Sequence, residues 1–229
     1  MTSVAGSDSE SLEDAPKHAS MAVHALSPAQ ERRLVDNFEE RFLDITRAFK
    51  KRTLPDATLP TLSSYLEATH TFLSLILQIP PVGRSASLRT TFLLRLTGDV
   101  MTSITGYKPD LESLPALLAW MNDLDAGWLT VLRGQAWDPA SRRAVNVASA
   151  ESARPSMNQT ERTRLRSLLI TGTERMEEWL EDLNTEGEDY TTALERMGLQ
   201  QGFEDLFLGT LNEMGGLKGN DPEGMTGTC

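Results

Sequence analysis

Cysteine is almost missing from this 229-residue chain: the only one is Cys229, the last residue. No internal disulfide can form, so an oxidising, secreted setting is not expected and a cytoplasm or nucleus is. Histidine is scarce, and of His18, His24 and His70 only His70 falls where the pattern is that of folded structure. Long apolar runs are missing too. Even nearly apolar stretches such as residues 73–79 are too short to cross a bilayer, and no basic segment followed by an apolar one opens the chain, so no membrane role is expected. Neither a Gly-x-x-x-x-Gly-Lys loop nor a dinucleotide fingerprint occurs, which argues against nucleotide chemistry. Only one Glu-x-x-His, Glu67 to His70, occurs where a di-iron bundle needs two, and no Asp-Asp-x-x-Asp motif is present, so the expectation is no metal and no cofactor. Val, Ile and Tyr are sparse while Leu, Ala, Glu, Arg and Met are frequent, the composition of helices and not of sheets.

Charge is plentiful but one-sided. Thirty-three acidic against 22 basic residues give a net charge of −11, which repels a duplex on average, so nucleic acid is an unexpected partner. The charge is also segregated. Residues 133–166 carry seven Arg against three acids, whereas residues 174–213 carry twelve acids against two Arg. Segregation of this kind is the ordinary mark of solvated helix faces.

The pattern along the chain predicts an all-α fold, a helical bundle of about six helices. Residues 1–26 are rich in Ser, Ala, Glu and Asp without apolar periodicity and read as a disordered tail. In it Ser7 and Ser11 each have an acid three positions on, a pattern suited to phosphorylation by acid-directed kinases. A four-helix bundle is predicted over 27–133. Ser27, Pro28 and Gln30 form a capping box for the first helix, whose Val35, Phe38, Phe42, Ile45 and Phe49 share one face. A more apolar second helix ends at Pro80-Pro81, a third opens at Ser85 or Ser87 and closes at Gly106, and a fourth runs from Ser113. Over 134–157 the period vanishes and a flexible linker or long loop is expected, with Trp137 an anomaly at its start. Asn158 and Glu161 cap a fifth helix, and a last helical region is weakened or split by Gly198 and Gly202, so 158–214 forms a C-terminal helical segment before a flexible 215–229.

Chemistry-bearing groups are too scattered to assemble a catalytic set from spacing alone. The reading that survives is a non-enzymatic helical adaptor or regulatory subunit that binds another protein through a helix face. Phe38, Phe42 and Phe49 form an aromatic seam that either closes the bundle or docks on a partner, with packing inside the bundle as the default, and Trp137 is the other candidate anchor. Two alternatives stand beside it. A nucleic-acid-associated nuclear accessory protein would use Arg142 and Arg143 of the Arg-rich linker. A helical-bundle enzyme would hold a metal or small molecule near Asp99, Asp123 and His70.

Overall fold

Helices begin where the sequence supplies caps. In the computed structural model, which describes residues 23–147, 157–183, 185 and 187–215, α1 spans Pro28–Lys50 and opens on the predicted box, Ser27 accepting from the Gln30 amide while Gln30 answers the Ser27 amide. The tail through residue 22, Ser7 and Ser11 with it, and the chain from 216 onward lie outside the described residues. Helix α2, Leu62–Leu77, starts at a Thr61–Ser64 box, and α4, Leu114–Leu132, carries Pro115 in its first turn. Helix α3, Gly83–Ile104, starts earlier than either serine suggests. Ser85 does not cap it, because its hydroxyl is buried and engaged elsewhere, accepting from the Leu26 amide at 2.9 Å and donating to Glu31. Gly106 stands beyond the end of α3, where a Cβ would come within 2.6 Å of the Phe49 ring.

The all-α expectation holds, and α2 packs on both α3 and α4 to form the centre of the core. Helix α1 closes one side with its apolar stripe. Phe38 and Phe42, each 2 % exposed, meet Phe72 and Phe92 edge-on with ring centroids 4.6–5.0 Å apart for three of the four pairs. Arg95 of α3 lies 4.0 Å over the Phe42 ring and pairs with Glu39 at 2.6 Å, so the guanidinium covers the aromatic cluster from outside.

The mid-chain segment is the first departure from expectation. Its described part folds into a short antiparallel hairpin, β1 Ala136–Asp138 with β2 Arg143–Val145, Trp137 opposite Ala144. Strands of three residues are too short to show a period of two, which is why the pattern reads as loop. After it α5, Gln159–Glu181, opens on the predicted Asn158–Glu161 box and lies against α3. The close approach is at Gly172, where even a Cβ would sit 2.3 Å from the Met101 Cε. Trp179 reaches from α5 to the Tyr107 carbonyl with a 2.7 Å hydrogen bond, and Trp128 donates to Thr97 inside the core.

The last region is split into α6 Tyr190–Arg196, α7 Gln200–Glu204 and α8 Leu208–Glu213. Gly198, at φ +68, ends α6 as expected. The second break is at Phe207, left-handed at φ +58, and not at Gly202, which sits inside α7 close to Leu118. Phe207 offers no side-chain cap for α8, and Asp125 of α4 replaces it, accepting from the Thr210 amide at 2.9 Å. The described helices number eight where about six were expected, because the final one is broken into three.

One buried group stands out from this packing. Arg89 of α3 is 1 % exposed, and its Nη1 donates to the Gln135 carbonyl just past the end of α4 at 2.7 Å. Among the described residues its Nε and Nη2 meet no acceptor, and burial pulls its pKa down to about 9.

Candidate functional site

The hairpin turn is shaped by its own residues. Asp138 accepts from the Ala140 amide at 3.0 Å and from the Ser141 hydroxyl at 2.5 Å, an Asx-type turn that tightens the bend. Those bonds, the Ser141 hydroxyl foremost, hold the Asp138 carboxyl below the usual carboxylate range. Arg142 closes the turn in the left-handed region at φ +52. Its side chain meets α2 and α4. The Arg142 Nη2 donates to Asp123 Oδ2 at 2.5 Å, and His70 Nε2 lies 2.8 Å from the same oxygen. One carboxylate oxygen therefore latches the hairpin to two helices.

Beneath the latch is a pocket of about 360 Å³ lined by Leu73, Leu75 and Leu77 of α2, by Trp137 and Pro139 of the hairpin, and by His70, Asp123 and Arg142 at its polar lip. Trp137 is partly buried against the core, and its indole Nε1 is shut off from solvent without an acceptor. The arrangement is an apolar floor under a polar lip of Arg142, His70 and the Asp123 carboxylate, the form of a recognition pocket. Among the described residues His70 is hydrogen-bonded to Asp123 and Arg142 and to no hydroxyl or thiol. Nor do three His, Cys, Asp or Glu side chains gather among the described residues in a way that could hold a metal ion.

The structure thus unites residues that sequence reasoning kept apart. His70, Asp123, Trp137 and Arg142 come from three separate candidate lists and meet at one pocket. Asp99 does not join them. It lies in a second, smaller groove of about 230 Å³ with Phe42, Phe49 and Tyr65, where burial raises its carboxyl pKa against the opposing pull of Arg95. The enzyme constellation of Asp99, Asp123 and His70 is therefore corrected, since α3 carries Asp99 to a different groove. The aromatic seam packs inside the bundle, the default of the two readings its spacing allowed. Phe38 and Phe42 are core, and Phe49 packs on Tyr65 and Tyr107 with Arg52 stacked 4.3 Å over its ring. Arg143 is exposed on β2, and its neighbour Arg142 is committed to the latch. The lining leucines of α2 were missed because a leucine at helical spacing carries no mark of whether it faces core or cavity.

A family model described as TFB6, subunit 11 of the general transcription factor TFIIH, matches residues 72–202, more than half of the chain. The chain belongs to this family. No curated protein and no solved structure matches it. Membership of the TFB6 family makes the setting nuclear and makes the chain a component of a multiprotein complex, within the expectation of cytoplasm or nucleus and of a protein partner. The matched stretch starts inside α2 and ends inside α7, so it takes in Leu73, Leu75, Leu77, Asp123, Trp137 and Arg142, while His70 falls just outside it.

Proposed function

We propose that this chain is a non-enzymatic adaptor or regulatory subunit of a general transcription factor, and that it docks a partner polypeptide in the pocket formed by α2, α4 and the hairpin. One observation carries the reading: the floor of that pocket and most of its lip fall within the family match, and the pocket pairs apolar walls with fixed polar groups at the surface. An adaptor needs a rigid surface and not a reactive group. The hairpin supplies rigidity because its tip is tied to two helices through Asp123. Partner recognition would then differ from a free aromatic helix face, since α1 spends its aromatic stripe on the bundle.

The test is co-purification. Full-length chain carrying Leu75→Glu, which places a charge in the pocket wall, is compared with wild type for recovery of other TFIIH subunits from nuclear extract, with Leu43→Glu at an exposed site of α1 as control. Melting curves of both variants establish that they are folded. Loss of the subunits with Leu75→Glu alone supports docking in the pocket. Equal recovery from all three proteins refutes it.

A further inference from the structure

We infer that the segment docked in this pocket is acidic: an aliphatic or aromatic side chain seated on Leu73, Leu75, Leu77 and Trp137, next to a carboxylate held by Arg142. The inference rests on the docking reading above and adds the chemistry of the partner. It follows from a count of donors and acceptors around the pocket. Among the described residues the Arg142 guanidinium uses Nη2 alone, on Asp123 and His70, and its Nε and Nη1 meet no acceptor there. Its side chain is 57 % exposed, so those donors are within reach of a ligand. Arginine presents its nitrogens as a planar fork that matches a carboxylate through two parallel hydrogen bonds. Trp137 contributes its ring to the wall, its Nε1 being shut off from solvent. Against these, Asp123 Oδ2 already accepts from Arg142 Nη2.

An occupant with a positive charge would meet Arg142, whereas a purely apolar one would leave the Arg142 fork to water alone. A carboxylate beside an apolar side chain answers both parts of the site. The volume of about 360 Å³ has room for one large side chain with its flanking backbone, so the fit is to a stretch of polypeptide presenting a single anchor. The overall charge of −11 works against any acidic partner at long range, but salt screens that repulsion over roughly 8 Å at physiological ionic strength, and the contact at the lip is local.

The full chain, with its tryptophan indoles labelled with ¹⁵N, reports directly on the pocket, because Trp137→Phe assigns the Trp137 signal among the four tryptophans. The probes are two capped ten-residue peptides, one with two leucines followed by two glutamates and one with lysines in place of the glutamates. The glutamate peptide is expected to move the Trp137 signal saturably and the lysine peptide to bind at least about tenfold more weakly. Arg142→Gln is expected to weaken the glutamate peptide by about tenfold, the worth of a charge-assisted bond. Equal binding of the two peptides, or indifference to Arg142→Gln, overturns the acidic assignment. The docking reading is judged separately by co-purification, so loss of TFIIH subunits with Leu75→Glu while neither peptide moves the signal would sink the acidic assignment and leave docking standing.

Discussion

Replacing Arg89 by methionine should make the protein more stable, although it removes a buried hydrogen bond. The guanidinium is buried, holds one acceptor, the Gln135 carbonyl, and leaves Nε and Nη2 unanswered. Burial lowers its pKa from the usual guanidinium range to about 9, so it stays charged at neutral pH at a desolvation cost of up to about 5 kcal/mol, taking roughly 1.4 kcal/mol per unit. Arg89→Met keeps an unbranched stem in the same space and deletes the charge. It also strands the Gln135 carbonyl, a loss of about 1–3 kcal/mol. The balance is a gain of about 2 kcal/mol, in line with the effect of replacing other buried, poorly compensated charges by apolar residues. For a chain of this size that gain raises Tm by roughly 4–8 °C. Calorimetry at pH 7 on wild type and Arg89→Met decides it. A fall in Tm would show that the bond to Gln135, at the negative end of the α4 dipole, outweighs the burial of the cation, and the reasoning would fail.

Three further outcomes follow from the packing. Asp125→Ala removes the side-chain cap that α4 gives α8 and should cost about 1–2 kcal/mol, with faster amide exchange confined to residues 208–213 and to the face of α4 beneath them. Gly172→Val forces α5 away from Met101 and should cost about 2–3 kcal/mol by urea denaturation, whereas unchanged stability would mean that α5 can slide on α3 at no cost. Tyr107 is pushed up to about 12 by burial, with Arg52 opposing, and its hydroxyl donates to the Leu59 carbonyl at 3.1 Å. The folded state therefore holds the phenol proton while the unfolded state loses it near pH 10, so stability declines as pH rises from about 10 to 12. The urea midpoint should fall across that window, and less steeply in Tyr107→Phe.

The helices were legible wherever a local rule acts without help from the rest of the chain. Ser27 with Gln30 and Asn158 with Glu161 are capping boxes on sequence and in structure, because both partners lie within one turn. The stripe of α1 was legible as one face, but its destination was not, since the burial of Phe38 depends on Phe72 and Phe92 of other helices. The opening of α3 was misread for a similar reason: Ser85 has the right chemistry for a cap, and a hydrogen bond from Leu26, 59 residues away, takes its hydroxyl. The candidate pocket was legible only as separate pieces. Asp123, His70 and Arg142 carry suitable groups, yet their meeting requires a hairpin of two three-residue strands and a left-handed arginine, neither of which leaves a periodic trace. A glycine or asparagine at position 142 would have advertised that turn, and an arginine conceals it.

The two halves of the chain are stitched together after the hairpin by contacts that do not depend on the covalent path between them. Trp179 is bonded to the Tyr107 carbonyl, Gly172 is seated on Met101, and Arg133 grips Glu213 at 2.7 Å across 80 residues. Cutting the backbone between Val147 and Met157 would leave every one of these in place. The fragments ending and beginning there are natural complementation partners, each burying what the other would expose, and a protein severed at that point would hold together as a noncovalent pair.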